Sequence, residues 1–219
     1  MAVYKIAGLH ICMEPQTDFT RQLLEEYRVE ENRAVISIPP CPGEEEYALL
    51  LEKLSLALLD FDGMYIHGGA LMMDGRVWLF IAPSGTGKST HLALWKELMG
   101  DKITILNGDK PLIRLEDGVF RVYGTPWRGK EGWGIDGVGE LAGIYILKRS
   151  AQNRIQPMQD LDILNMLLSQ TVQPEDPAGM GKLLELLAKL MEQIPMQALY
   201  CNTQLSAAET VLKHIGGTV

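Results

Sequence analysis

The stretch WLFIAPSGTGKSTHLALW, Trp78 to Trp95, carries the reading of this chain. It runs from five apolar residues into a glycine-rich turn, then into apolar positions at helical spacing. Strand, turn and helix in that order, with Ala82-Pro83-Ser84-Gly85-Thr86-Gly87-Lys88-Ser89 at the turn, fit the phosphate-loop signature G-x-x-x-x-G-K-[ST], alanine standing at its first glycine. Each position has a physical reason. Gly85 and Gly87 let backbone N–H groups face an anion with no Cβ in the way. The helix that follows offers its unpaired N–H groups and the positive end of its dipole. Ser84, Gly85, Thr86, Gly87, Lys88, Ser89 and Thr90 are therefore expected to cradle a polyphosphate. Lys88 supplies a point charge to its outer phosphates and Ser89 a hydroxyl to Mg2+. The expected ligands are ATP and Mg2+; no base-reading motif fixes adenine over guanine.

Flanking segments set the scaffold. GMYIHGGALMMDGRVWLFIA reads as two strands joined at Asp74-Gly75, a favoured hairpin turn, and PLIRLEDGVFRVYGT as a second hairpin around Asp117-Gly118. PGEEEYALLLEKLSLALLDF reads as a helix with acids in its first turn, and STHLALWKELMG as the helix after the loop. VYKIAGLHICME alternates like one strand and DFTRQLLEEYRV like a helix capped at Thr17 or Asp18. AVISIPP, ITILNGD, ELAGIYILKRS, RIQPM and ALYCN read as further strands. Helices are expected at about 160–170, 181–194 and in SAAETVLKHI, with a loop over 173–179. Mixed strands around a helix that follows a phosphate-type turn predict an α/β (α+β) domain with a mixed sheet and flanking helices, one domain over residues 1–219.

Three features outside the loop bear chemistry. Asp109 follows the β-rich run ITILNGD and is expected to hold Mg2+ with Ser89. Asn107 and Lys110 beside it read more simply as turn residues. His67 lies on the strand leading toward the loop, followed by Gly68-Gly69, a thin segment that permits close backbone approach. YGTPWRGKEGWG, Tyr123 to Gly134, brings Arg128, Lys130 and Glu131 together with two tryptophans. Its cations suit charge developing on a transferred phosphoryl group, and Trp127 offers a face for stacking.

Composition narrows the classes. The chain has 219 residues, 47% hydrophobic and 22% charged, with a net charge of -8. That balance argues against nucleic acid as a partner. Cys12, Cys41 and Cys201 form no CxxC pair, so free thiols are expected. The N-terminal segment has no apolar core suited to secretion, and no apolar run reaches membrane-spanning length. A cytoplasmic location without membrane association is expected.

Taken together, IHGGALMMDGRVWLFIAPSGTGKST and the acidic strand end resemble the HPr serine kinase and phosphoenolpyruvate carboxykinase group of phosphate-loop proteins. The likeness spans about Tyr65 to Asp109 and continues weakly to Leu147. His67 stands 21 residues before Lys88, the spacing of the histidine in that group. The resemblance implies a mixed-sheet fold of the HPr kinase C-terminal type and transfer of the γ-phosphoryl group of ATP to a hydroxyl of a protein, peptide or small molecule. It further implies roles for His67, Lys88 and Asp109 in catalysis, and self-assembly into a homo-oligomer; from the 123–134 loop, Arg128 is expected to stabilise charge and Glu131, or else His67, to serve as base. One departure stands out: the family pairs two aspartates at the strand end, and here the pair reads Gly108-Asp109. A nucleotide-binding regulator or assembly factor without transfer is the alternative. A small-metabolite kinase of the shikimate or nucleoside type would need more parallel βα units than these hairpins leave.

Overall fold

The computed structural model describes residues 2–30 and 33–218. The chain opens with strands β1 (Ala2–Ile6) and β2 (Leu9–Met13), helix α1 (Asp18–Glu25), short strands β3 (Arg28–Val29) and β4 (Ile36–Ser37), and helix α2 (Glu46–Leu58). Then come β5 (Gly63–Tyr65), β6 (Gly68–Met73), β7 (Arg76–Ile81), α3 (Lys88–Met99), β8 (Thr104–Asn107), β9 (Leu112–Glu116), β10 (Val119–Tyr123) and β11 (Val138–Arg149). The remainder is β12 (Arg154–Pro157), α4 (Asp160–Ser169), α5 (Pro177–Gln193), β13 (Met196–Cys201) and α6 (Ser206–His214).

Both expected hairpins form. Asp74-Gly75 and Asp117-Gly118 each put two successive residues at positive φ, as a type I′ turn requires. A third hairpin was not legible: VYKIAGLHICME is two antiparallel strands, β1 and β2, folded at Ala7-Gly8 with the same two positive φ values. Alanine is rare at such a turn, so the alternating pattern reads as continuous. The expected strand over Gly63 to Met73 is also broken. Its first part pairs with β9 and its second with β7, which leaves Ile66 and His67 at a corner. Helix α5 starts earlier than expected, at Pro177. The Asp176 side chain caps it by accepting from Gly179 N–H at 2.8 Å, and proline suits the first turn because it has no N–H to leave unpaired.

The strands form two sheets. The smaller has the order β3-β1-β2-β4. The larger has nine strands, with β5-β9-β10-β11-β7-β6-β8 in sequence and β13, then β12, beside the second half of β11. Strands β7, β11 and β13 run parallel, and β8 shares their direction because it is antiparallel to β6, itself antiparallel to β7. This is the mixed sheet expected from the sequence. After the exposed Arg76, the VWLFI run of β7 is apolar throughout because both faces are covered. Val77, Leu79 and Ile81 pack toward α4 and α5, with Ile163, Leu167, Leu183 and Leu187. Trp78 and Phe80 pack toward α3 and α6, with Leu92, Trp95, Val211 and Leu212. A third cluster joins the small sheet to α2 through Leu50, Leu54 and Leu58, and reaches the large sheet at Leu112 and the loop after β10 at Trp127. Among the described residues no helix is long and apolar enough to cross a membrane. The three cysteines are unpaired.

Glu46 ties this third cluster together. Only 1% exposed, its carboxylate accepts from Thr17 N–H at 2.9 Å, Thr17 Oγ1 at 2.6 Å and the Gln16 N–H. Burial pushes its pKa up, but these hydrogen bonds outweigh burial and hold it below the usual value. Glu46→Gln is expected to lower the stability of this region by about 1–3 kcal/mol, since buried donors keep only a weaker neutral acceptor. In the wild-type protein the contribution is complete above the unfolded carboxyl's pKa and is lost as pH falls through the depressed folded value. Chemical denaturation of both proteins at neutral and acidic pH checks this: the gap should be wide at neutral pH and close in acid.

Candidate phosphate-binding site

The strand directions bring the candidate residues to one edge. The carboxyl ends of β7, β8, β11 and β13 all open there, the edge where ligands sit in open α/β sheets. The loop Ala82 to Gly87 leaves β7 and enters α3 at Lys88. Gly85 and Gly87 take φ of 77° and 120°, the left-handed region that glycine enters without strain. Among the described residues no side chain caps α3, so its first-turn N–H groups have no side-chain acceptor. Lys88 Nζ donates to Ala82 O at 2.8 Å, folded back on its own loop. Burial lowers its pKa and the Asp109 charge opposes that shift.

Asp109 is placed by Asn107, which is fully buried. Asn107 Oδ1 accepts from Asp109 N–H at 2.9 Å and Lys110 N–H at 2.8 Å, while its Nδ2 donates to Thr125 Oγ1 at 2.8 Å. The plain turn role expected for Asn107 is thus what it has. The strand corner meets the same turn: Gly68 N–H donates to Asp109 O at 2.8 Å, and His67 Nε2 lies 3.0 Å from Asp109 Oδ1. Lys110 Nζ lies 3.8 Å from the other carboxylate oxygen. Burial would raise the Asp109 pKa, but the His67 hydrogen bond and the Lys110, His67 and Lys88 charges lower it on balance. The carboxylate is therefore ionised at neutral pH. The glycines of the corner act as expected: a Cβ on Gly69 would lie 2.6 Å from Leu92 Cδ1, so β6 rests directly on α3.

The 123–134 loop closes the site on the far side. Gly129, at φ 74°, lies so near Asp109 that a Cβ there would come within 2.8 Å of the Asp109 Cβ. Lys130 and Glu131 face a hollow of about 380 Å3 that is also lined by His67, Lys88, Ser89 and Asp109. Ser84, Gly85, Gly87 and Thr90 complete its loop wall. Of the residues singled out in the sequence, Arg128 and Trp127 are not brought in. The Arg128 guanidinium donates to Glu26 at 2.6 Å and to the Tyr27 hydroxyl at 3.2 Å, so the carboxylate and phenol of the α1–β3 junction engage it. Trp127 is 1% exposed, its indole N–H donating to Tyr47 O at 2.8 Å, so no face is free for stacking.

Sequence reasoning missed Arg149. At the end of β11, its guanidinium donates to Thr86 O at 3.1 Å and to Gly85 O. It thereby holds two carbonyls of the loop, while the Thr86 N–H donates to Pro83 O at 3.2 Å within the turn. Thr86 also lines a second hollow on that side of the loop. Nothing local marks Arg149; only the parallel pairing of β11 with β7 brings it to the loop.

The donor set fits Mg2+, which takes one or two protein oxygens and fills its remaining positions with phosphate and water. Ser89 and the ionised Asp109 line one hollow with the loop. Among the described residues there is no cluster of three or more histidine, cysteine or acidic side chains able to hold a metal without such help.

No family model matches the chain, and no curated protein matches it. Among solved structures, the Hpr(Ser) kinase/phosphatase from Coxiella burnetii is similar to it at a TM-score of 0.32 and 17% identity, over 57% of this chain and 87% of that one. At that level of likeness, function has to be read from the site's own geometry.

Proposed function

We propose that the protein is an ATP- and Mg2+-dependent kinase that transfers the γ-phosphoryl group to a hydroxyl of a protein, peptide or small molecule, in the manner of HPr kinases. The observation that carries this reading is the meeting of Lys88, Ser89, Asp109 and Glu131 in one hollow against the phosphate loop. Loop amides and Lys88 hold the phosphates and spread the charge that develops on the transferred group. Ser89 and Asp109 would hold Mg2+, which when bound would further neutralise that charge. His67 keeps the Asp109 carboxylate oriented. Glu131 is exposed and engages no other side chain among the described residues, which leaves its carboxylate free to take the acceptor's proton. The acceptor oxygen bonds to the γ-phosphorus as the bond to the ADP oxygen breaks, and Lys130 faces the same hollow.

One observation favours a second reading, nucleotide binding without transfer. Where HPr kinases carry their second aspartate, this chain has Gly108, and a Cβ there would lie 3.1 Å from Arg128 O and 3.2 Å from Trp133 O. A side chain at that position would crowd both carbonyls, which would have to give way by a few tenths of an ångström. Incubation with γ-labelled ATP, Mg2+ and a cell extract separates the two. A labelled acceptor, lost in Glu131→Gln, is the expected result. Saturable ATP binding with neither labelled product nor hydrolysis would favour the second.

A further inference from the structure

Asp109 stands on the turn after β8, while Lys130 and Glu131 stand on the 123–134 loop. They share a hollow only while that loop is held against the turn. Its glycines work against this: Gly129, Gly132 and Gly134 all take positive φ, and glycine loses more conformational freedom on ordering than other residues. The backbone supplies part of the hold. Gly108 N–H donates to Trp133 O at 2.8 Å, Ile135 N–H to Leu106 O at 3.2 Å and Gly124 N–H to Gly137 O at 2.9 Å. The loop is thus laid along the end of β8 and closed at its base.

The rest of the hold converges on one side chain. Thr125 is 0% exposed. Its hydroxyl donates to Lys110 O at 2.8 Å, and accepts from Asn107 Nδ2 at 2.8 Å and from Trp127 N–H at 3.2 Å. A hydroxyl has one donor and two lone pairs, and here all three are used. Each bond bears on the Asp109 turn or on the loop. Asn107 also accepts from Asp109 N–H, Lys110 follows Asp109 directly, and Trp127 stands two residues before Gly129, which lies against Asp109. Arg128, turned away from the hollow, braces the same point: its Nε donates to Thr125 O at 3.3 Å while its guanidinium is held by Glu26.

We infer that Thr125 is a positioning residue for phosphoryl transfer, its hydroxyl fixing the loop that carries Lys130 and Glu131 against the turn that carries Asp109. The inference rests on the kinase reading above and adds to it the buried group that sets the spacing between metal ligand and base. Thr125 acts through Asn107, Lys110 and Trp127 and has no surface of its own in the site. Without its hydroxyl, Lys110 O and Trp127 N–H lose a buried partner and the loop loses its side-chain tie to the turn. Reacting groups displaced by about 1 Å from a distant change can cost about 100-fold in rate.

The test compares Thr125→Val, which keeps the shape and removes the hydroxyl, with Thr125→Ser, which keeps the hydroxyl. Both are titrated with ATP in EDTA, then assayed below their melting temperatures for labelling of an acceptor in cell extract from γ-labelled ATP and Mg2+. Thr125→Val should bind ATP in EDTA within about twofold of wild type, because the Thr125 hydroxyl shares no partner with the phosphate loop. Its labelling rate should fall at least about tenfold, and Thr125→Ser should recover most of that loss. A merely structural role would lower the melting temperature of Thr125→Val and leave the rate of the folded protein unchanged; that result would overturn the inference and leave the kinase reading intact. If Thr125→Val does not fold, Thr125→Cys, close in size and a weak hydrogen bonder, carries the same expectation. Absence of any acceptor labelled by wild-type protein would overturn the kinase reading, and the positioning role with it.

Discussion

Lys88→Met is expected to bind Mg-ATP about 100-fold or more weakly than wild type, with no loss of thermal stability. The two halves of that expectation have one cause. Lys88 is 8% exposed, and among the described residues its only hydrogen bond is to Ala82 O, a neutral carbonyl. Burial makes its charged form costly, which is why its pKa is lowered. At neutral pH the lysine is charged in the unfolded chain and burdened in the folded one, so it subtracts from stability there. Methionine keeps the buried stem and removes the burden; the denaturation midpoint should stay level or rise. Phosphate binding reverses the balance, because the same desolvated ammonium then meets an anion in a site of low effective dielectric. Hydrogen bonds to charged groups contribute about 1.5–3 kcal/mol each, and a buried partner left unpaired costs more. Calorimetric titration with Mg-ATP beside a thermal scan checks both halves. A variant that binds normally would show that the lysine never leaves the Ala82 carbonyl.

Asp109→Asn is expected to remove the Mg2+ dependence of nucleotide binding. Wild-type protein should bind ATP more tightly with Mg2+ than with EDTA; in the variant the two affinities should converge, a loss in metal affinity of about 10–100-fold at the least. The amide is a fair probe because it preserves the shape and an acceptor for the His67 nitrogen 3.0 Å away, and leaves the Asn107 turn untouched. What it removes is the ionised oxygen that the surrounding cations keep deprotonated. If the Asp109→Asn variant kept its full response to Mg2+, the metal ligand would lie elsewhere.

What could be read from the sequence was local. The phosphate loop announces itself because backbone geometry within eight consecutive residues dictates where glycine, lysine and a hydroxyl must stand. Asp74-Gly75 and Asp117-Gly118 reveal their hairpins for the same reason: positive φ at two adjacent positions leaves few residue choices. Asp109 could be placed because it follows a strand directly. The parts that escaped depend on partners distant in sequence. Arg149 reaches the loop only through strand pairing. The same limit misdirected two expectations. Arg128 and Trp127 sit in a loop rich in chemistry, yet Glu26, Tyr27 and Tyr47, from the N-terminal sheet and helices, hold both side chains away from the hollow. No local pattern shows that those elements come to lie against the loop.

The most direct measurement is a titration of isotope-labelled protein with Mg-ATP, following the backbone amide resonances of residues 84–90. The account predicts large, saturable shifts centred on Gly85, Gly87, Lys88 and Ser89, with Asp109 moving over the same concentration range. Resonances in this segment that stay in place at millimolar ATP would contradict it.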